Sequence, residues 1–110
     1  MAFGLSLWGP DYPDPADYLA FMPGELVGTR VGWSRGSDPT VERLAARARV
    51  TTSDRARAPL YQQIQRRLNQ AGPYFPLIQP TQVFAATSDL EGAVFNPLYS
   101  IDVRLPRPAS

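Results

Sequence analysis

The spacing of hydrophobic and polar positions changes along the chain and predicts strands near both ends with helices between them. Apolar side chains alternate with smaller or polar ones over residues 3–8, which is the period-two pattern of a strand. Further along, the apolar period lengthens to that of a helix. Apolar runs then return near the C-terminus, over residues 75–79, 82–87, 93–95 and 101–105, and we interpret them as short strands.

Three helices are predicted in the middle of the chain. Asp14-Pro15 and Asp38-Pro39 each combine an N-cap carboxylate with a proline at the first helical position, so helices should begin there. The first should end near Met22. A third helix is expected between Asp54 and Ala71, and Pro59 implies either a kink or a start near Ala58. The apolar stripes of the second and third helices contain Val41, Leu44, Ala45 and Ala48, then Leu60, Tyr61, Ile64 and Leu68.

The rest of the chain predicts loops and solvated surfaces. Residues 23–36 carry glycine at every fourth position and only scattered apolar residues, so we expect a loop that Trp33 anchors to the body. The arginine pairs on the two longer helices, at positions 43 and 47 and at 66 and 67, should face solvent. Because the strands are short and the first has no sequence neighbour, the chain is either a piece of a larger α/β protein or a small α+β domain.

Composition removes several kinds of chemistry. The 110 residues include no Cys, no His and no Lys, so thiol, imidazole and Schiff-base catalysis are excluded, as are ordinary zinc sites. A net charge of +1 argues against nucleic-acid binding. No apolar run is long enough to span a membrane. The N-terminus lacks the basic start of a signal peptide, so we expect no targeting segment in this chain.

An ordered series of motifs runs along nearly the whole chain. It starts with Trp-Gly-Pro-Asp-Tyr-Pro-Asp-Pro at residues 8–15. It continues with an apolar segment at 18–21, Trp33, the helix over residues 41–48, Asp54 with Arg57, Leu60-Tyr61 with Ile64-Gln65 and Leu68, Pro73 with Pro76-Leu77, and Gly92 with Asn96-Pro97. This series resembles the extracellular solute-binding proteins of ABC importers, in the peptide- and oligopeptide-binding type called family 5.

The resemblance implies a fold and a setting for the parent protein. The fold would be α/β, a fragment of the type II periplasmic-binding-protein fold in which two lobes close over a ligand. Residues 1–86 would be a segment of the second lobe, and residues 87–110 would cross back to the first lobe and add a C-terminal strand segment. The parent would act outside the cytoplasm, in the periplasm or at the cell surface, and deliver its solute to an ABC permease.

The resemblance also implies a binding site around the first motif. Asp11 would pair with the ammonium group of a peptide or other small solute, an interaction that strengthens in a dry cleft. Trp8 would supply an apolar wall, and the backbone at Leu7 and Gly9 would face an extended ligand. From the residues alone, capping the turn over residues 12–14 is the favoured role of Asp11, and Trp8 fits a core position as well as it fits a binding wall. No catalytic residue, metal or cofactor is predicted.

Three alternatives remain open at this point. The chain could be a self-contained α+β interaction module. It could be a fragment of a metal-dependent enzyme in which Asp11, Asp14 and Asp17 bind a hard cation such as Mg²⁺, although Asp14 fits helix capping better. Exposed strand edges could also pair two copies of the chain into a homodimer.

Overall fold

The computed structural model describes residues 3–96, 100–101 and 106–109, and the chain divides into two units. We call Asp14–Leu77 the helical unit, and Met1–Pro13 together with Ile78–Ser110 the terminal unit. The helical unit contains a 3₁₀ helix and three α-helices, with the bounds Pro15–Phe21, then α1 (Leu26–Arg30), α2 (Pro39–Val50) and α3 (Asp54–Ala71).

The terminal unit contains two short antiparallel strand pairs among its described residues. The first pairs β1 (Leu90–Glu91) with β4 (Arg107–Pro108), and the second pairs β2 (Phe95–Asn96) with β3 (Ser100–Ile101). Each pair is only two residues long, so the ladders contribute few backbone hydrogen bonds. Phe84 and Phe95 stack with ring centroids 6.4 Å apart.

The core of the helical unit forms where α2 packs on α3 and the 3₁₀ helix. The predicted stripe of α2 is confirmed, because Val41, Ala45 and Ala48 are all buried. Leu60 and Ile64 of α3 are buried as well, while Leu68 is partly buried against the same core. The remaining buried apolar side chains come from the 3₁₀ helix and the turns around α1, and are Leu19, Met22 and Trp33.

Aromatic contacts fix the turn that follows α3. Tyr74 meets the rings of Phe21 and Trp33 edge-on, with centroids 5.2 and 5.9 Å away. Its hydroxyl donates a hydrogen bond of 2.9 Å to the Phe21 carbonyl. Burial raises the pKa of Tyr74 to about 12, so the hydroxyl stays protonated and remains a donor. The prediction that Trp33 anchors its segment is confirmed.

Both Asp-Pro helix starts are confirmed. Asp14 accepts a 2.7 Å bond from the Ala16 N–H, and Asp38 accepts bonds from the first N–H groups of α2. Asp38 is only 5% exposed, and its second oxygen, Oδ2, accepts a 2.7 Å bond from Arg67 Nε. The prediction that Arg67 simply faces solvent was therefore wrong. Arg67 connects the C-terminal half of α3 to the first turn of α2.

The loop predicted over residues 23–36 contains a helix instead. Its glycines serve two purposes that the sequence pattern did not separate. Gly24, Gly32 and Gly36 have φ values of 76°, 77° and 85° and make turns. Gly28 lies inside α1, where its backbone packs against the Met22 carbonyl. Trp33 N–H donates to the Gly28 carbonyl at 2.8 Å, which holds the end of α1 in place.

Most of the predicted strands are absent from the described residues. Residues 3–10, 75–79 and 82–87 form no ladder, so those three predictions were wrong. Alternation places apolar side chains on one face, but a strand also needs a neighbour for its backbone groups. The predicted strand over residues 93–95 survives only at Phe95, in β2, and that over 101–105 only at Ile101, because residues 102–105 lie outside the described residues.

Pro59 lies inside α3, which begins at Asp54 rather than near Ala58. Proline at this position removes one helical N–H donor, and the exposed side of the helix tolerates that loss because water can reach the freed carbonyl.

Replacing Gly28 with alanine tests the close approach of α1 to the 3₁₀ helix. A Cβ there would overlap the Met22 carbonyl oxygen and lie 3.0 Å from its carbon. We expect a net loss of about 2 kcal/mol in unfolding free energy, because a steric cost of roughly 3 kcal/mol exceeds the helix-propensity gain of about 1 kcal/mol. Urea unfolding measures it. Gly4→Ala is the control, since open space surrounds Gly4. Equal stabilities of the two variants would contradict the packing.

Replacing Asp38 with alanine tests the cap of α2. The variant loses two N–H partners and the bond from Arg67, so unfolding free energy should fall by roughly 2 kcal/mol. Asp54→Ala is a matched control, because the Asp54 side chain is 99% exposed and caps nothing. Its effect should stay within about 0.5 kcal/mol. A loss for Asp38→Ala no larger than the control's would show that the cap is not holding α2.

Candidate ligand-binding site

The four residues predicted to contact a ligand lie in the N-terminal segment of the terminal unit. Leu7 is 84% exposed, Gly9 is exposed, and Trp8 is half-buried. Asp11 is exposed, and its carboxylate is therefore accessible to a solute. Trp8 and Asp11 each also take part in at least one interaction within the structure. Neither of them belongs to the buried core of the helical unit.

Leu7 and Gly9 belong to a stretch of backbone without ladder hydrogen bonds. Residues 3–10 are extended or irregular, and none of them pairs with a described strand. The side chains of Phe3, Leu5 and Leu7 are all largely exposed. Such a segment has backbone donors and acceptors available to another extended chain, with Pro10 limited to accepting.

Asp14 follows Asp11 by three residues and belongs to the helical unit. Its carboxylate caps the 3₁₀ helix and accepts hydrogen bonds from both terminal nitrogens of Arg57, with Nη1 3.1 Å from Oδ2. This two-pronged contact has the geometry in which arginine binds carboxylate best. Arg57 also donates to the Tyr61 hydroxyl at 3.3 Å, and its guanidinium carbon lies 5.4 Å from the centroid of the Tyr61 ring.

The Asp14–Arg57 pair was missed by sequence reasoning. The capping role predicted for Asp14 is correct, but nothing in the local pattern indicates a partner 43 positions away. The motif series includes Arg57 only as a neighbour of Asp54. In the structure, Arg57 Nη1 is 3.6 Å from Asp54 Oδ1. The contact with Asp14 involves the better buried groups, since the Arg57 side chain is 17% exposed whereas Asp54 is fully solvated.

The two capping carboxylates are held in their charged form. The hydrogen bond from Arg57 lowers the pKa of Asp14, and the Ala16 N–H lowers it further. Burial pushes the pKa of Asp38 upward, but the bonds from Arg67 and from the N–H groups of α2 outweigh it and leave a lowered pKa. In return, Asp14 raises the pKa of Arg57 above its ordinary range. Both pairs are therefore ionised at neutral pH.

The metal alternative finds no support among the described residues. The three aspartates considered for a cation have separate roles, since Asp14 binds Arg57 and Asp17 is buried whereas Asp11 is exposed. Within residues 3–96 and the two short C-terminal stretches, no group of three or more acidic, His or Cys side chains is arranged to hold a metal ion.

None of the described helices is long and apolar enough to cross a membrane.

Comparison with known proteins gives a partial match. Over 91 residues the chain is 26% identical to a protein named "Probable di/tripeptide-binding protein 5" from Pseudomonas aeruginosa (strain UCBPP-PA14). The chain is similar to part of a peptide-binding protein. The match covers 82% of this chain and 17% of that relative, so the chain spans about a sixth of the relative's length. No protein-family model and no solved structure matches.

The similarity agrees with the motif series and leaves its details as predictions. A relation to peptide-binding solute receptors is supported at the coarse level of the relative's name. The type II fold, the division at residue 86 and the roles of Trp8 and Asp11 stay predictions.

The two capped pairs predict that the helical unit is labile to acid. A lowered folded-state pKa means that unfolding takes up protons, so the stabilisation is complete above the ordinary carboxyl pKa of 3.8 and disappears as pH falls below it. Thermal unfolding followed by circular dichroism should show a midpoint that drops steeply from about pH 4 towards pH 2. Asp38→Asn should flatten this dependence, because its amide does not titrate. An identical pH dependence of variant and parent would contradict the assignment.

Proposed function

We propose that the chain is a ligand-binding, non-catalytic part of the solute-binding protein of an ABC importer, and that the ligand is a short peptide. The observation that carries the proposal is the similarity, over 82% of the chain, to a protein named for binding di- and tripeptides. The motif series at residues 8–15 and beyond gives separate support. Because the match spans 17% of that relative, other parts of the parent would complete the binding cleft.

In this proposal Asp11 pairs with the α-ammonium group of the peptide. Its carboxylate is exposed, as recognition of an outside cation requires. Pairing would gain strength when the second lobe of the parent closed and excluded water, because the same charges attract more strongly at low dielectric. Asp11 is therefore the residue whose removal should cost most affinity.

Trp8, Leu7 and Gly9 would contact the rest of the peptide. The half-buried indole of Trp8 offers an apolar wall for a side chain. The backbone at Leu7 and Gly9 belongs to the stretch 3–10, which forms no ladder with a described strand, and it can exchange hydrogen bonds with an extended main chain. Backbone contacts of this kind are independent of side-chain identity, which suits a receptor for peptides of varied sequence.

The parent protein would have two lobes of the type II periplasmic-binding fold. Residues 1–86 would belong to the second lobe, and residues 87–110 would cross back towards the first. The parent would bind its peptide outside the cytoplasm and hand it to an ABC permease. In the isolated chain, the exposed apolar residues at positions 3, 5 and 7 could instead pair with a second copy, which gives a homodimer as a competing state.

Isothermal titration of the 110-residue chain with trialanine and N-acetyl-trialanine tests the proposal. Trialanine should bind, and acetylation should weaken it at least tenfold, or about 1.4 kcal/mol, because the amide carries no charge for Asp11. Asp11→Asn should produce the same loss for trialanine. Asp54→Asn is a matched control that removes another exposed carboxylate. It should leave affinity unchanged.

Native mass spectrometry of the same samples reports the oligomeric state. A monomer that carries one trialanine supports the proposal. Equal affinity for the acetylated peptide, or equal losses in the two Asp→Asn variants, would contradict the role of Asp11. A dimer that binds neither peptide would favour pairing of exposed edges over ligand recognition.

A further inference from the structure

The helical unit contains an open depression that the peptide proposal does not use. It lies between the end of the 3₁₀ helix and one side of α2 and has a volume of about 350 Å³. That volume falls at the lower end of the range for small-molecule sites. Apolar surface lines part of it, from Pro39 and Ala46 among others, and charged side chains surround this surface.

The acidic side chains of the depression already have partners. Glu25 binds Arg49, with Oε1 2.9 Å from Nη2. Glu42 accepts a 2.6 Å hydrogen bond from the Gly36 N–H. Arg49 therefore neutralises Glu25, whereas the neutral Gly36 N–H orients the Glu42 carboxylate and leaves it its charge.

Two arginines of the depression have no acidic partner among the described residues. Arg35 and Arg43 both line it and both are exposed. Arg43 makes a long 3.5 Å bond to the Thr40 hydroxyl, and Arg35 has no ion pair with any carboxylate in the part of the chain that the structure describes. With Arg49 paired to Glu25, the depression presents two guanidinium groups and one charged carboxylate, that of Glu42, beside apolar surface, so positive charge is in excess.

The backbone that carries these arginines is held on both sides. Gly24 N–H donates to the Trp33 carbonyl at 2.9 Å. A Cβ on Gly24 would lie 3.0 Å from the Cβ of Arg35, so the backbone at Gly24 and the backbone at Arg35 are in close contact. The Gly36–Glu42 bond fixes the other end of this turn to α2. Arg43 stands between Val41 and Ala45, which are buried in the core. A site on such supports loses little entropy when it binds.

We propose that this depression binds a carboxylate attached to an apolar group, with Arg35 and Arg43 as the anion-binding side chains. Guanidinium groups match the planar carboxylate, and the exposed side chains of Pro39 and Ala46 would cover the apolar part. Residues 14–77 carry nine arginines and six carboxylates, so the surrounding field also favours an anion. The site differs from the one proposed at Asp11, which selects a cation.

The same ligand chemistry occurs in a free carboxylic acid and at the C-terminus of a peptide. N-acetyl-L-leucine represents the first source, and N-acetyl-Ala-Ala-Leu represents the second. Both probes lack a free ammonium group, so neither depends on Asp11. A failure here is therefore distinguishable from a failure of the peptide proposal.

The experiment is a titration of the full chain, labelled with ¹⁵N, with each probe and with its C-terminal amide. We expect saturable chemical-shift changes at Met22 and Ala45 for at least one acid, and at least tenfold weaker binding for the matching amide. Hydrogen bonds to a charged group contribute roughly 1.5–3 kcal/mol, which corresponds to about tenfold to hundredfold in affinity. The acid that binds more tightly identifies the source.

Two arginine variants on one helix provide the matched control. Arg43→Gln should weaken the acid at least tenfold, because it removes one anion-binding side chain. Arg47→Gln removes the same charge one turn further along α2, outside the depression, and should leave affinity within about twofold. Circular dichroism checks that both variants keep their helices. Absence of saturable shifts for both acids, equal binding of acid and amide, or equal losses in the two variants would overturn the proposal.

Discussion

The packing of the helical unit depends on two aspartates, each of which has two structural roles. Asp14 and Asp38 cap the helices that follow them, and each also binds an arginine from α3. The arginines are ten positions apart, so they connect the two capped helix starts to different parts of one long helix. The carboxylates that satisfy free N–H groups thus also set where α3 lies. Capping alone would fix only the local start of each helix.

Burial decides how much each of these pairs contributes. Asp38 is almost inaccessible, so its charge needs both the N–H groups of α2 and Arg67 to offset desolvation. Asp14 is nearer to solvent. Its contact with Arg57 therefore owes its strength to the two-pronged hydrogen-bond geometry more than to burial. Around these anchors, the buried stripe of α2 and the aromatic contacts of Tyr74 complete the core. Because Gly28 has no side chain, α1 packs closely against the Met22 carbonyl and covers that side of the core.

The terminal unit has a different character, and the proposed function uses that difference. Its N-terminal segment exposes alternating apolar side chains and forms no ladder with a described strand, and its strand pairs are two residues long. Such a segment gains stability from a further extended chain, whether a peptide ligand, a second copy or the rest of a longer protein. The helical unit satisfies most of its own backbone groups. The carboxylate depression proposed on it is accordingly made of side chains.

Local chemistry in the sequence determined the helices. Asp-Pro starts and apolar stripes depend on residues within a turn or two of one another, so α2, most of α3 and the 3₁₀ helix could be predicted, as could Trp33 as an anchor. The motif run at residues 8–15 likewise pointed to a peptide-binding relative before any comparison. Tertiary structure decided what depends on distant partners. Strand pairing requires a neighbour, so alternation at residues 3–8 was insufficient, while the Asp14–Arg57 and Asp38–Arg67 contacts join positions 43 and 29 residues apart. α1 could not be predicted from the sequence for the same reason. Its glycine is favourable only because another backbone segment comes too close to leave room for a side chain.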